Sequence, residues 1–470
     1  MKNGMELAGK RVLVVGLART GIATALFCAA HGARVTATES RPESEVAEAA
    51  SKLRAAGCRL ELGGHRAETF LEQDLIIPSP GVSAEMAGLA AAQAKSIPVW
   101  SEIELAARFL KGKLIGITGS NGKTTTTSLV AHILETAKFP TILAGNIGTP
   151  LIARVEDSSD RSVTVAELSS FQLELIETFR PHVGVFLNLT PDHLDRHPSF
   201  EAYGRAKARI FENQTEQDAA VLNADDPGTP PYAPSRPQVF WFSRMKRVAQ
   251  GAFLRDQEIV FRRDGEEIIL LRRKDIGLRG DHNIENVLAA AAAAFLAGAQ
   301  PAAIAEGVRS FAGVEHRLEF VAEIEGVSYY NDSKATNVDA TLKALDAFPG
   351  RLIVILGGKD KGSDYTLLRD PLRAKGTAAL LVGAAAEKIE RQIAGSVPAV
   401  RAGTLERAVK LAAERAQSGD TVLLAPACAS FDQFQSYEHR GRIFKQLVKQ
   451  LEQKVADSDR RKIGAADGKR

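Results

Sequence analysis

Short apolar runs alternate with amphipathic helical stretches along most of the chain. In the first segment, RVLVVG (11–16), RVTATE (34–39) and DLIIPSPG (74–81) predict strands, and a helix is predicted from Thr20 to about His31. Strands that alternate with helices are typical of a parallel sheet covered by helices. This segment is therefore predicted to be an α/β domain.

Two further α/β series follow a predicted helix and connector, SEIELAARFLKGK (101–113). The second series ends with a predicted hairpin, EIVFRRDGEEIILLRR (258–273), and a long helix, GDHNIENVLAAAAAAFLAGA (280–299). The third begins near Val314, and its strands are rich in Val, Ile and Leu, as buried parallel strands are. The last stretch, 453–470, is polar and lacks periodicity, so it is predicted to be a disordered tail.

Length and charge narrow the choice of function. At about 150 residues per domain, 470 residues predict roughly three domains. Lys and Arg number 60 against 57 Asp and Glu, and no basic run is interleaved with aromatic residues, so nucleic acid is not predicted as a partner. Cys28, Cys58 and Cys428 are dispersed without metal spacing, which is typical of reduced thiols. Without a secretory signal or an apolar stretch of about 18 residues, a cytoplasmic protein without membrane insertion is expected.

The segment LIGITGSNGKTTT (114–126) carries the strongest chemical signal. An apolar strand turns through glycines into a helical pattern with Lys and Thr at its start, which is the arrangement of a phosphate cradle. Backbone N–H groups and the lysine ammonium meet phosphates there, and a hydroxyl meets Mg²⁺. Ile117 stands where the strict GxxxxGK[ST] pattern has its first glycine, and a chance glycine turn is the alternative. ATP binding is the preferred hypothesis, through Gly119, Ser120, Asn121, Gly122, Lys123, Thr124 and Thr125.

The turn GLARTG (16–21) is a degenerate match to the dinucleotide pattern GxGxxG, because Ala18 replaces the middle glycine. A tight strand-to-helix turn and a phosphate-binding loop are both open at this point, and an NAD site is the poorer interpretation. Ser40 and Arg41, at the end of the next strand, could hold a nucleotide sugar or cap a helix.

Two polar clusters follow the cradle at predicted strand ends, where ligands collect in open α/β sheets. Glu167 closes an apolar strand and could hold the Mg²⁺ that bridges ATP phosphates, or be a solvated carboxylate. The next strand ends in a loop with Asp192, His193, Asp195 and His197, suited to a second divalent ion or to general-base chemistry, with helix capping as the alternative. His193 ranks above His197 because it lies closer to the strand end.

The remaining polar positions are ambiguous from the residues alone. Lys207 lies in a predicted helix beside two arginines, and a solvated lysine is the simpler interpretation. In the third segment, Arg317 could grip a phosphate through its guanidinium. The other candidates follow predicted strands, where each alone fits turn chemistry and together they indicate anion recognition; they are Asp332, Lys334, Thr336, Asn337, Lys359, Lys361, Ser430 and Asp432.

Taken in order, these motifs resemble the Mur ligase superfamily, the ATP-dependent amino-acid-adding enzymes of peptidoglycan synthesis. The resemblance covers about residues 8–450. The phosphate loop and the His193 region are common to the superfamily, whereas YNDSKATN with ACASFDQF indicates the branch that adds D-glutamate. The Asp-Asn-Pro-Arg signature of the diaminopimelate- or lysine-adding branch is absent. The matching motifs are TGSNGKTTT, GNIG, ELSSFQLE, PDHLDR, GDHN, YNDSKATN and ACASFDQF.

The resemblance implies a three-domain α/β protein. A Rossmann-like domain over 1–112 would hold the UDP-linked substrate, a P-loop-type ATPase domain over 113–312 would hold ATP, and a second Rossmann-like domain over 313–452 would hold the incoming amino acid. The implied cofactors are ATP, Mg²⁺ and a carbamate on Lys207, which would replace the solvated-lysine interpretation. The implied partners are small-molecule substrates only, and a monomer is expected.

The resemblance also implies a role for individual positions. Tyr437 stands where the superfamily pattern has Phe. Catalytic roles fall on Lys123, His193, Lys207 and Arg317; ATP contacts on residues 119–125 with Asn283, Arg317 and Asp332; and metal contacts on Thr124, Glu167, His193 and Lys207 as the carbamate. The UDP-linked substrate would contact Arg19, Thr20, Ser40, Arg41, Ser79, Gly81 and Asn146, and D-glutamate would contact Thr336, Lys361, Ser430 and Tyr437.

Three alternatives remain open at the level of sequence. Another Mur-type or folylpolyglutamate-type ligase would share the phosphate loop. An ATP-dependent switch without ligation would also keep it. A dehydrogenase built on GLARTG is the least favoured.

Overall fold

The computed structural model describes residues 6–83, 85–193, 196–278 and 280–467, with side chains to residue 455. The chain forms two compact units. The first contains Met1–Gly277 and Glu285–Phe311, and the second contains Leu278–Ile284 and Ala312–Arg470. In the described ranges no helix has both the length and the apolar character needed to cross a bilayer.

The first unit begins with a four-stranded parallel sheet of order β3-β2-β1-β4. Its strands are β1 (Arg11–Val15), β2 (Arg34–Glu39), β3 (Arg59–Leu62) and β4 (Leu75–Pro78), and its helices are α1 (Arg19–Ala30), α2 (Glu43–Ala55), α3 (Ala67–Leu71) and α4 (Ala87–Ala94). The predicted strands and the first helix are confirmed. The order places the β1–α1 turn between the ends of β2 and β4, at the edge where ligands bind in such sheets.

A nine-stranded sheet follows in the same unit, with order β13-β12-β11-β10-β9-β8-β5-β7-β6. The strands are β5 (Lys113–Thr118), β6 (Thr141–Gly145), β7 (Val163–Glu167), β8 (Val183–Phe186), β9 (Ala219–Asn223), β10 (Gln238–Ser243), β11 (Gly251–Arg255), β12 (Glu258–Arg263) and β13 (Glu266–Arg272). Neighbouring strands are parallel from β6 to β11, and the predicted hairpin β12–β13 adds an antiparallel edge. Ile117 of β5 pairs directly with Glu167 of β7, so the strand that leads into the glycine loop fixes the register of that carboxylate.

Helices cover the nine-stranded sheet and join it to the first sheet. They are α5 (Glu102–Phe109), α6 (Lys123–Thr136), α7 (Ser170–Leu173), α8 (Phe200–Ala208), α9 (Asp281–Ala297) and α10 (Pro301–Ser310). Short 3₁₀ turns lie at Leu151–Asp157, Arg209–Phe211, Pro230–Tyr232 and Arg273–Asp275. The alanine run of α9 is fully buried, because small side chains allow the helix to lie close to its neighbours.

The second unit is built on a six-stranded sheet of order β14-β15-β19-β16-β17-β18. Its strands are β14 (Glu319–Ile324), β15 (Val327–Asn331), β16 (Leu352–Gly357), β17 (Gly376–Val382), β18 (Ala399–Gly403) and β19 (Thr421–Leu424). The edge pair β14–β15 is antiparallel, and the other described pairs of this sheet are parallel. The helices are α11 (Val338–Asp346), α12 (Arg369–Lys375), α13 (Ala386–Ile393), α14 (Leu405–Arg415) and α15 (Tyr437–Asp467), with a 3₁₀ turn at Tyr365–Leu368.

Helix α15 continues to Asp467, so residues 453–467 are helical where the composition predicted a disordered tail. Gln, Lys, Arg and Ala are good helix formers, and such residues can extend a helix beyond the packed part of a domain. Residues 468–470 lie outside the described part of the chain.

Helix α5 carries two buried carboxyl groups whose pKa values are shifted in opposite directions. Burial raises the pKa of Glu102 to about 7, although one of its oxygens accepts the Ile152 N–H at 2.6 Å. Burial would also raise the pKa of Glu104, but hydrogen bonds outweigh it and the pKa lies below its usual range. Those bonds come from three successive backbone N–H groups at 177–179, at 2.8 to 2.9 Å, and from Arg108 at 2.7 Å. Glu104 therefore clamps the chain just before β8.

The substitution Glu104→Ala is expected to lower the first thermal unfolding midpoint by about 5 °C or more, because buried N–H groups without an acceptor cost about 1–3 kcal/mol each. Scanning calorimetry of the full chain measures the shift. Glu48→Ala is the control, since the Glu48 side chain is 85% exposed and its pair with Lys52 contributes little. Equal midpoints for the two variants would contradict the clamp.

Candidate active site

The glycine loop between β5 and α6 has no room for side chains at its two ends. Gly122 caps α6 with a φ of +81°, and a Cβ there would lie 2.3 Å from Oδ1 of Asn286. A Cβ on Gly119, whose φ is +152°, would lie 3.0 Å from the Cβ of Leu187. The loop is therefore held close to the chain that follows β8 and to α9, and it leads into the N-terminus of α6, where the helix dipole favours an anion.

Side chains within the loop fix its shape. Ser120 Oγ donates to the Thr190 carbonyl at 3.0 Å, and the Asn121 N–H donates to Oδ1 of Asn188 at 2.8 Å. Thr125 is buried in the first turn of α6. These predicted ATP residues thus shape the cradle through contacts with the loop after β8.

The Lys123 ammonium folds back over the loop that precedes it. Its Nζ donates to the Gly119 carbonyl at 2.7 Å and to the Ser120 carbonyl at 2.9 Å. The positive charge is thereby held at the mouth of the cradle, beside the N-terminus of α6, where both favour a phosphate group.

A buried carboxylate lies beside the first turn of α6. Glu167, which is 3% exposed, accepts the Thr124 hydroxyl at 2.8 Å through one oxygen and the Asn146 amide at 2.9 Å through the other. A hydroxyl and a carboxylate are the hard oxygen ligands that Mg²⁺ prefers. These residues therefore fit a magnesium ion, and the Asn146 side chain is engaged with its carboxylate.

Lys207 of α8 is the most deeply buried amine among the predicted site residues. It is 1% exposed, its Nζ donates to the Gly119 carbonyl at 2.9 Å, and the Tyr203 ring centre lies 4.4 Å away. Burial, followed by repulsion from Lys123, lowers its pKa well below the usual value, while Asp192 and Glu167 oppose the shift. The solvated-lysine interpretation is wrong, because α8 presents Lys207 to the cradle rather than to water. A neutral amine of this kind fits carbamate formation.

The two candidate histidines in the loop after β8 differ in exposure and in contacts. His193 has a left-handed φ of +53°, and its side chain is 47% exposed with its ring against Phe171. His197 is buried, contacts Ser170 Oγ at 2.9 Å and Glu174 at 3.1 Å, and stacks on the Phe171 ring. His197 is therefore a structural residue, and His193 is the one that solvent and ligands can reach. Asp195 lies outside the described residues.

The β1–α1 turn is tightly packed, as a phosphate-binding turn requires. A Cβ on Gly21 would lie 1.9 Å from the Gly16 carbonyl, and Ser79 Oγ donates to that same carbonyl at 2.9 Å. Arg19 is exposed and donates to the Gly148 carbonyl of the GNIG loop, while Thr20 stands in the first turn of α1.

A carboxylate organises the end of β2. Glu39 accepts the Leu17 N–H at 2.8 Å, the Arg41 guanidinium at 2.9 Å and the Ser40 hydroxyl at 3.2 Å. The Arg41 hydrogen bond, with the backbone bonds, lowers the pKa of Glu39 to about 2 despite its burial. Glu39 thus orients Ser40 and Arg41 beside the turn. Separately, the carbonyl of Gly81 accepts a hydrogen bond from Arg196 at 3.3 Å.

In the second unit, the predicted nucleotide residues gather at the start of β14 and the end of β15. Asp332 is 4% exposed, and burial raises its pKa to about 6 although Arg317 and the Leu318 N–H favour the anion. Arg317 also faces His282, whose pKa falls to about 4, mainly through burial. Asn283 is buried one residue further along α9.

The predicted amino-acid residues differ in exposure. Ser430 is buried, Thr336 and Tyr437 are half-buried, and Lys361 is exposed. The Lys334 ammonium lies 5.6 Å from the Tyr437 ring centre, and Ser333 Oγ donates to the Tyr437 carbonyl at 2.8 Å.

Three residues that support the candidate sites were not predicted from the sequence. Asn286 lies one helical turn after Asn283, and its side chain packs against Gly122. The spacing from Asn283 could have indicated that Asn286 lies near the site. Tyr203 lies one turn before Lys207, with its hydroxyl 3.3 Å from Ser120 Oγ. Arg440 is 1% exposed and donates to Ser333 and to the carbonyls at 428 and 429, a role that a polar helix sequence does not signal.

Comparison with known families gives the class of protein. Residues 117–294 match the Mur ligase middle domain, 316–428 the Mur ligase glutamate ligase domain, and 10–101 the MurD-like N-terminal domain of Mur ligases. The chain belongs to the Mur ligase family. The predicted three-domain α/β organisation is confirmed, while the boundaries at 112 and 312 stay a prediction.

Individual relatives narrow the likeness further. The UDP-N-acetylmuramoylalanine--D-glutamate ligase of Solibacter usitatus is 55% identical over 451 residues, 96% of this chain and 100% of the relative. The enzyme of the same name from Koribacter versatilis is 52% identical over 448 residues, 95% and 99% of the two chains. The solved UDP-N-acetylmuramate-alanine ligase MurC from Thermotoga maritima has a TM-score of 0.58 at 19% identity, covering 94% of this chain and 100% of that one. That likeness concerns the fold.

The substitution Gly122→Ala is expected to weaken ADP binding by about ten-fold or more, because the new methyl group must displace Asn286 and the first turn of α6. Calorimetric titration with ADP measures the affinity. Gly265→Ala is a matched control, since Gly265 has a similar φ of +85° and, in the described part of the chain, no atom lies within 4 Å of where its methyl group would be. Unchanged affinity in Gly122→Ala would mean that the loop does not bind the nucleotide.

Proposed function

We propose that this protein catalyses the ATP-dependent addition of D-glutamate to UDP-N-acetylmuramoyl-L-alanine in bacterial peptidoglycan precursor synthesis. The observation that carries the substrate assignment is 52–55% identity to ligases of that name over nearly the whole chain. The reaction class is supported by the cradle at 119–122, with its lysine, its buried carboxylate and its buried second amine. We place the reaction in the cytoplasm and expect the protein to act as a monomer.

The reaction proceeds in two steps. The terminal carboxylate of the UDP-linked substrate attacks the γ-phosphorus of ATP, and ADP leaves to give an acyl phosphate. The D-glutamate amine then attacks the acyl carbon, and the C–O bond breaks to release phosphate. Activation is needed because a free carboxylate would have to expel oxide, which is a very poor leaving group.

Charge neutralisation is the main task of the first unit. Two anions meet in the first step, and Lys123 at the cradle mouth lowers that repulsion together with the N-terminus of α6. Thr124, Glu167, His193 and Lys207 as a carbamate would hold magnesium, which supplies further neutralisation of phosphate charge. The amine proton would pass to His193 or to a nearby carboxylate.

Carbamate formation would convert Lys207 from a basic amine into an anionic metal ligand. Its neutral amine attacks CO₂, a C–N bond forms, and one proton passes to solvent, which leaves a carbamate anion. Burial favours the neutral, nucleophilic form of the amine, and the adjacent Lys123 ammonium would attract the carbamate anion where it repels an ammonium.

The substrates would be divided among the sites already described. Arg19, Thr20, Ser40, Arg41, Ser79, Gly81 and Asn146 are assigned to the UDP-linked substrate. Asn283, Arg317 and Asp332 are assigned to the adenine, the γ-phosphate and the ribose of ATP, and Thr336, Lys361, Ser430 and Tyr437 to D-glutamate.

The substitution Lys123→Ala is expected to lower phosphate release by about a hundred-fold or more and to abolish acyl-phosphate formation, because the loop loses its cation. Phosphate release is measured with ATP, Mg²⁺, UDP-N-acetylmuramoyl-L-alanine and either D- or L-glutamate. Stimulation by D-glutamate alone is expected in the wild type and in the control Lys111→Ala, whose side chain is exposed. Normal turnover in Lys123→Ala, or no acceptor-dependent release by the wild type, would refute the assignment.

Removal of dissolved CO₂ is expected to lower phosphate release, and added bicarbonate should restore it, because Lys207 must carry the carbamate. A carbamate resonance from ¹³C-bicarbonate should appear in the wild type and be absent in Lys207→Arg. Lys111→Ala should keep the resonance. Active enzyme with a bare amine at Lys207 would contradict the proposal.

A further inference from the structure

The backbone around Arg317 is held in an unusual conformation. His316 has a φ of +65° and Leu318 a φ of +43°, so two left-handed residues that are not glycine enclose the arginine. Such conformations are rare for residues with a side chain and persist where the surroundings hold them. The direction of the Arg317 side chain therefore depends on whatever restrains its two neighbours.

The Glu319 carboxylate provides the first restraint. Its Oε2 accepts the His316 N–H at 2.9 Å and the Asn331 amide at 3.0 Å. Glu319 and Asn331 are direct cross-strand partners in the β14–β15 pair. One oxygen thus ties the left-handed residue before Arg317 to the end of the neighbouring strand.

The Asn331 amide extends this restraint to Asp332. Its Oδ1 accepts the Ser333 N–H at 3.1 Å, so the amide orientation is fixed and Nδ2 donates to Glu319 and to Nδ1 of His316, at 2.9 Å. His316 is buried and its pKa is lowered, mainly by burial, so the ring is neutral with its proton on Nε2. Asp332, between Asn331 and Ser333, in turn accepts the Leu318 N–H at 3.3 Å.

The other oxygen of Glu319 takes part in a separate contact. Lys445 of α15 donates to Glu319 Oε1 and to Glu315 at 3.0 Å. Glu315, His316 and Glu319 are close enough to surround a cation, but the Lys445 ammonium already pairs with both carboxylates. Glu315 Oε1 lies 3.7 Å from Nε2 of the His316 ring, beyond hydrogen-bond distance. Glu315 therefore shares the ion pair of Glu319 without holding the backbone of the turn.

We propose that Glu319 is a positioning residue for nucleotide use: through Oε2 it holds the left-handed turn that aims Arg317 and, through Asn331, the turn that carries Asp332. This inference rests on the proposed function, because it takes Arg317 and Asp332 as the ATP contacts of the second unit. Loss of the Glu319 carboxylate should weaken the use of ATP. It should leave binding of the UDP-linked substrate unchanged, since the residues assigned to that substrate belong to the first unit.

The test compares Glu319→Met, Glu319→Gln and Glu315→Gln in the full chain. Glu319→Met should lower kcat/KM for ATP by about ten-fold or more, the effect of losing a charge-assisted hydrogen bond, with the KM for the UDP-linked substrate unchanged. Glu319→Gln should recover most of this loss, because its amide oxygen can still accept the His316 N–H. Glu315→Gln should behave as the wild type.

Three results would overturn the inference: an unchanged KM and kcat for ATP in Glu319→Met, an equal loss in Glu315→Gln, or a loss spread equally over all substrates with a lowered unfolding midpoint. If Glu319→Met is not recovered folded, Asn331→Ala replaces it, and the same ATP-selective loss is expected. Equilibrium binding of a non-hydrolysable ATP analogue separates the two proposals. A wild type that binds it without turnover refutes the proposed function, whereas an active wild type with normal analogue binding in the variants refutes the role of Glu319.

Discussion

Two lysine side chains donate to one carbonyl oxygen, that of Gly119, and this sharing constrains the whole cradle. Lys123 reaches it at 2.7 Å from the helix start and Lys207 at 2.9 Å from α8. Two ammonium groups so close in a buried place repel strongly, so only one of them can keep its charge at low cost. Burial, followed by repulsion from Lys123, lowers the pKa of Lys207 well below its usual value. The proposed carbamate on Lys207 rests on this difference between the two amines.

The pKa values of four carboxyl groups also depend on their surroundings. The pKa values of Glu39 and Glu104 are lowered, whereas those of Glu102 and Asp332 are raised. Burial raises the pKa of all four. Hydrogen bonds and a neighbouring arginine outweigh it at Glu39 and Glu104, and burial prevails at Glu102 and Asp332.

The sequence was sufficient for the strands, the cradle and the family, because apolar runs and glycine turns are local signals. The residue pattern alone was insufficient for Lys207, which only the family resemblance singled out, and for Arg440, since a helix with charged residues gives no sign of which one turns inward. The helical continuation of 453–467 was missed because polar composition alone does not distinguish a solvated helix from a disordered tail. Contacts such as that of Lys207 with the Gly119 carbonyl join distant segments, and no local pattern encodes them.

The isoleucine at 117, in place of the glycine of the strict phosphate-loop pattern, has a mechanical consequence. Ile117 is part of the β5 ladder, two residues before Gly119, and lies there opposite Glu167. The loop and the acidic residue beside it are therefore carried on one rigid frame, and a shift of a single position along that frame would turn Glu167 to the opposite face of the sheet. A change in the loop that leaves β5 and β7 paired would therefore leave Glu167 on its present face.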